Sequence, residues 1–174
     1  MAQEEVARLH QPAAEVSEEA LKRAEEMIEQ EEGVQNRLAG WRAAFVAGIA
    51  IAMTLFHLYT AYAIVRPEYL RATHVAFVLL LTFLIFPVAR RFRHRIMPWD
   101  WLLAAAGVST TVYLIAGGDY FFDRSIIPET WDIVFGVALM LLILEAMRRT
   151  TGWVMPIVTS CFLLYALFGN YLPP

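Results

Sequence analysis

The residues of this chain that could do chemistry are few, and most of them interrupt apolar runs. His57 and His74 lie in successive runs, Asp100 follows Pro98 at the start of a third, and Glu145 precedes Arg148 and Arg149 by three and four positions. Two histidines on neighbouring helices are the ligand set of a membrane haem, which needs them at one depth. His57 is eight positions from the far end of its run and His74 two positions inside the next, so their depths are about 12 Å and about 3 Å. That mismatch of about 9 Å argues against a shared haem and for a neutral histidine hydrogen-bonded between helices. No cofactor is expected.

Glu145 can meet both guanidinium groups along one helix face. An interfacial ion pair that ends a short span, or a contact to a neighbouring domain, would each use that geometry. Asp100 sits where a carboxylate caps exposed amides and suits the helix dipole, and Pro128-Glu129-Thr130 repeats the signal before the next run. The hydroxyls of Ser109, Thr110 and Thr111 bond back to a helix or join helices together. The sequence has no Gly-x-Ser-x-Gly elbow, no phosphate-cradling glycine loop and no His-Glu-x-x-His helix, so an enzyme is not expected. Its one cysteine, Cys161, excludes an internal disulfide and a multi-cysteine zinc cluster.

The elements that must position these residues are membrane spans. Of 174 residues, 59% are hydrophobic and only 18% charged, against about 45–50% and about 25% in soluble domains. Five apolar stretches stand out: Ala43–Val65, Ala72–Ala89, Trp101–Gly118, Trp131–Met147 and Thr150–Pro174. About 20 apolar residues cross a hydrocarbon core as a helix, and helices satisfy their own backbone in lipid. The expected fold is therefore all-α, a polytopic bundle of about five transmembrane helices. Trp41, Trp99, Trp101, Trp131 and Trp153 all fall at the ends of these stretches, as an aromatic belt requires.

Ahead of the spans, residues 1–42 hold ten of the 17 acidic side chains and five of the 14 basic ones. Within that tail, Glu15–Glu32 reads as a soluble helix, with Glu18–Lys22 and Glu19–Arg23 pairs and a thin stripe of Val16, Ala20, Ala24, Met27 and Ile28. It is either solvated or docked on a partner. The start has no early apolar run, so no secretory signal is expected. No dense basic surface points to nucleic acid. Eight arginines (37, 42, 90, 91, 93, 95, 148 and 149) fall on one side of the five spans and three (66, 71 and 124) on the other. The amino terminus is then cytoplasmic and the carboxyl terminus outward.

Several strings together resemble a known family: FHLYTA (Phe56–Ala61), RATHVAFVLLLTFLIFPVARR (Arg71–Arg91), PWDWLL (Pro98–Leu103), DIVFGVALMLLILEAMRRTTGWVMPI (Asp132–Ile157) and LLYALFGNYLP (Leu163–Pro173). Their order and spacing resemble the front of the fused permease of tripartite ATP-independent periplasmic (TRAP) transporters, in the branch served by TAXI-type solute-binding proteins. The resemblance covers roughly Arg42 to the last residue, and the acidic cytoplasmic tail over 1–40 ahead of it matches only in general character. The resemblance implies a four-helix small-permease (DctQ-like) domain over 41–149 and the first helix of the large permease (DctM-like) part over 150–174. It also implies a scaffold in the bacterial inner membrane, with the large permease portion, the periplasmic binding protein and lipid as partners. Sodium-coupled uptake of organic anions such as carboxylates would belong to the complete transporter, whose sodium and substrate sites lie in helices beyond these. The chain then reads as a fragment of a longer fused permease. The alternative is a free-standing helical anchor for another complex, for example a redox one.

The charge count makes a direct prediction. A Ser125→Cys substitution should react with an impermeant thiol reagent in whole cells, and a His94→Cys substitution should not. Reversed labelling would invert the topology.

Overall fold

The computed structural model of the chain describes residues 18–32, 35–36, 38–89, 96–124 and 126–169. Those residues form six helices and no strand: α1 (Glu18–Glu32), α2 (Trp41–Tyr62), α3 (Pro67–Ile85), α4 (Pro98–Asp123), α5 (Thr130–Thr151) and α6 (Val154–Phe168). The basic cluster of Arg90, Arg91, Arg93 and Arg95, with Arg37, Ser125 and Val16, lies outside the described residues. Met1–Glu32 and Gly33–Pro174 are separate compact units. In the first, α1 carries an exposed Arg23–Glu19 pair at 3.7 Å, and Met27 and Ile28 of its apolar stripe are exposed.

The second unit is an all-α polytopic bundle. Four of its helices, α2 to α5, are long and apolar enough to cross a membrane. At 1.5 Å per residue, the 22 residues of α2 and of α5 extend about 33 Å, against a hydrocarbon core of about 30 Å. The fifth apolar helix, α6, has 15 described residues, or about 22 Å, and starts at Val154 rather than at the expected Thr150. The difference follows from α5, which continues through Thr151 and stops at Gly152, a residue at φ 76° that ends the helix.

Local signals set the other boundaries. Pro67 and Pro98 occupy the first turns of α3 and α4, where a missing amide costs nothing. Phe86 precedes Pro87, which removes it from the helical region and ends α3. Helices α3 and α4 begin earlier than their apolar stretches do, taking in Arg71 and Asp100, because charges in a first turn can lie at the headgroup level. All five tryptophans sit at helix ends and are exposed.

Helix α3 is the hub, in contact with α2, α4 and α5, while α4 also packs on α5 and α6 packs on α5. Leu79, Phe83, Ala104, Leu142 and Ala146 form the buried core, flanked by Val75, Leu103 and Leu139. The α3–α4 contact depends on small residues, as membrane interfaces do where packing replaces the hydrophobic drive. Ala104, Gly107 and Thr111 lie along one face of α4 and are buried. A Cβ on Gly107 would stand 3.1 Å from Leu79 Cβ, tighter than an ordinary contact. Farther along, α4 breaks at Gly118, whose φ of 53° and ψ of −143° suit glycine alone.

Gly107→Val should therefore destabilise the bundle by about 1–3 kcal/mol through overpacking. Gly136→Val is the matched control, because a Cβ there meets nothing within 4 Å. Thermal melts of both variants in one detergent check the difference, and equal melting would show that Gly107 does not set the α3–α4 distance.

Candidate functional site

The charged residues of the bundle gather at its two ends. At one end, Pro98 starts α4 and places Asp100 in the first turn, where Oδ2 accepts the Met97 amide at 2.9 Å. Its other oxygen, Oδ1, accepts from Arg149 Nη1 at 2.6 Å, and both side chains are wholly buried. Arg149 Nη1 also donates to the Phe86 carbonyl at 3.1 Å, and its Nε to Glu145 Oε1 at 2.8 Å. The guanidinium lies 5.0 Å from the centre of the Phe83 ring. One arginine thus ties the end of α3, the start of α4 and the last turn of α5. Glu145 is shared, because Arg148 grips both of its oxygens at 2.7 Å, and Arg148 also covers Trp153.

Proximity of Glu145 to Arg148 and Arg149 was legible from spacing. The Asp100–Arg149 pair was not, since 49 positions separate the two and no helical period links them. Asn36 was missed for the same reason. Its amide donates to Ile85 O at 2.6 Å and its Nδ2 to Leu84 O at 2.9 Å, closing the carbonyl end of α3. Two buried atoms remain without a hydrogen bond at this end, Asn36 Oδ1 and Arg149 Nη2.

His57 and His74 correct the expected depths. Their rings meet at 2.9 Å between His57 Nε2 and His74 Nδ1, joining α2 to α3. The error lay in the span boundaries. Helix α2 ends at Tyr62 and α3 begins at Pro67, which puts the histidines about 7.5 Å and about 10.5 Å from the shared turn. His57 Nδ1 is 2.7 Å from Met53 O, and a carbonyl only accepts, so that nitrogen carries the proton. In the neutral forms His74 Nδ1 must then donate to His57 Nε2. The lone pair of His74 Nε2 is left at the edge of a groove of about 360 Å³ lined by Val78, Leu79, Thr82, Ile143 and Thr150.

At the opposite end, Asp132 in the first turn of α5 accepts the Glu129 amide at 2.8 Å with Oδ2. Its Oδ1 accepts from Tyr113 and from Arg124, each at 2.8 Å. Arg124 also meets Glu129 at 2.8 Å and covers the Tyr120 ring. Burial works against the Arg124 charge, but bonds from Tyr120 and Asp132 hold its pKa above the usual arginine value. Arg66 bonds Asp119 across the end of the bundle, which raises the Arg66 pKa in the same sense. The hydroxyls of Ser109, Thr110 and Thr111 bond back to carbonyls of their own helix. Among the described residues, no three histidines, cysteines or carboxylates converge as a metal site would need.

These contacts arrange positive and negative groups to hold helices together, and the Asp100–Arg149 pair is the testable centre. Arg149→Met or Asp100→Leu alone should cost about 3–5 kcal/mol, because each leaves one buried charge without its partner. The double variant should cost clearly less than the sum. Additive losses in detergent unfolding would mean that the pair is not coupled.

Helices α2 to α5 are long and apolar enough to cross a membrane, and comparison with family models, with curated proteins and with solved structures gives no match for the chain.

Proposed function

We propose that this bundle is the scaffold portion of a sodium-coupled TRAP-type permease importing organic anions such as carboxylates. The observation that carries the reading is the use of its interior charges. Asp100, Glu145 and Arg149 bond one another and the backbone at the end of α3, so they stiffen the bundle, and the buried Arg149 is engaged by two carboxylates of the chain itself rather than by an anionic substrate. The resemblance of five sequence strings to the fused permease supplies the rest. In that reading the Arg149 end is cytoplasmic and the Arg66 end periplasmic. The large permease portion moves the substrate and binds sodium, and a TAXI-type protein delivers the anion to the periplasmic side.

The charges at the Arg66 end divide accordingly. Asp119 and Glu129 are occupied by Arg66 and Arg124, whereas Asp123 is exposed and has no bonded partner among the described residues. Asp123 is the side chain free to guide the binding protein, and such charges tune encounter more than final affinity. With the large permease portion and the binding protein in sodium-loaded vesicles, Asp123→Lys should slow uptake most at low binding-protein concentration and recover as that concentration rises. Uptake that proceeds unchanged without this chain would overturn the proposal.

The His57–His74 pair favours a second reading, an anchor subunit of a redox complex. A metal-ligating histidine commonly donates its other ring nitrogen to an acceptor, as His74 does to His57. A visible absorption band on the purified protein that His74→Ala abolishes would establish that reading instead.

A further inference from the structure

A second groove opens where α3, α4 and α5 meet, near the Arg66 end of the bundle. Its volume is about 290 Å³, and its apolar body is built from Val75, Leu114, Leu139 and Ile143. That is at the small end of ligand pockets, which run about 300–1,000 Å³, and suits part of a hydrocarbon chain. Two charged residues of α3 line the same groove, Glu68 and Arg71. They are three positions apart on one helix face, a spacing of about 5–6 Å between Cβ atoms.

They do not pair with each other. Glu68 leans toward Arg66 at 3.7 Å, beyond hydrogen-bond reach, and its Oε2 is buried without a hydrogen bond. Arg71 is exposed, and among the described residues no hydrogen bond or ion pair reaches it. One groove is therefore lined by Glu68, whose side chain is 40% exposed and makes no hydrogen bond through Oε2, by the Arg71 guanidinium and by an apolar floor. Both charges lie within the first turn and a half of α3, at the headgroup level of a spanning helix. A guanidinium matches a phosphodiester with two parallel bonds, and a carboxylate matches an ammonium.

We propose that this groove binds one zwitterionic phospholipid, phosphatidylethanolamine. Its phosphate sits on Arg71, its ammonium on Glu68, and part of one acyl chain lies along Val75, Leu139 and Ile143. Charge complementarity selects this occupant. An anionic phospholipid would satisfy Arg71 and leave Glu68 without a donor, and an apolar partner helix would leave both charges unmet. The site requires only that the bundle be embedded in a membrane, whichever complex the bundle serves.

Native mass spectrometry of the full chain, extracted in mild detergent from membranes containing phosphatidylethanolamine, phosphatidylglycerol and cardiolipin, tests the proposal. One phosphatidylethanolamine should remain on each chain. Titration of the delipidated chain should favour that lipid over phosphatidylglycerol by about tenfold, the scale of one charge-assisted hydrogen bond. Arg71→Gln should weaken both lipids, whereas Glu68→Gln should erase the preference for the ethanolamine headgroup. Leu139→Trp should fill the groove and remove the lipid with both charges intact. Helical content measured by circular dichroism identifies any variant that has failed to fold, and the headgroup preference of the unaltered chain stands as a separate test. Retention of phosphatidylglycerol or cardiolipin in equal or greater amount, release of all lipid on extraction, or full retention in both charge variants would overturn the proposal.

Discussion

A charge that leaves water must find its counter-charge inside the protein, and in this bundle that requirement falls on Arg149. Both it and Asp100 are fully enclosed. In such surroundings the attraction between them is strong, but so is the cost of removing each from water. The arrangement holds because neither oxygen of Asp100 is left idle and two nitrogens of Arg149 are engaged. Geometry is the return on that cost. The Phe86 carbonyl, Asp100 and Glu145 come from three different helices or their ends, and one planar cation fixes the distances among them. Hydrocarbon packing alone gives helices no comparable reason to choose one register over another.

The rest of the bundle can be loosely packed once this end is fixed. Among the described residues few side chains are fully buried, and Leu79, set against Gly107 at the close α3–α4 contact, is one of them. Away from it, α3 and α5 separate enough to leave grooves along their seam. At the far end the chain uses a different device. The break at Gly118 redirects the end of α4, and the following turn folds Arg124 onto Tyr120, Glu129 and Asp132. Arginine against carboxylate and aromatic ring suits a headgroup environment, where neither water nor hydrocarbon is continuous.

The sequence was most readable where a pattern is local. Long apolar runs announced α2 to α5, Pro98 marked the start of α4, and three- and four-residue spacing brought Glu145 to Arg148 and Arg149. What it hid was everything set by tertiary closure. Asn36 reaches the end of α3, Asp100 reaches Arg149, and Arg66 reaches Asp119 across gaps of roughly fifty residues. The histidines illustrate a subtler loss. Their depths were counted from the ends of uncharged runs, but α2 stops at Tyr62, short of Val65, and α3 starts at Pro67, ahead of Ala72. Moving the turn to residues 63–66 brought both rings to nearly one level.

The separation of Asp100 from Arg149 also carries a consequence for the order of synthesis. Asp100 is synthesised 49 residues ahead of its partner, so for that interval the carboxylate of α4 has no cation to neutralise it. Its position in the first turn makes that interval tolerable, because a carboxylate at a helix end can stay hydrated at the membrane surface. Burial of Asp100 waits for the last turn of α5. The helices are thus made in sequence, but the contact that ties α3, α4 and α5 together can close only after Arg149 has been made.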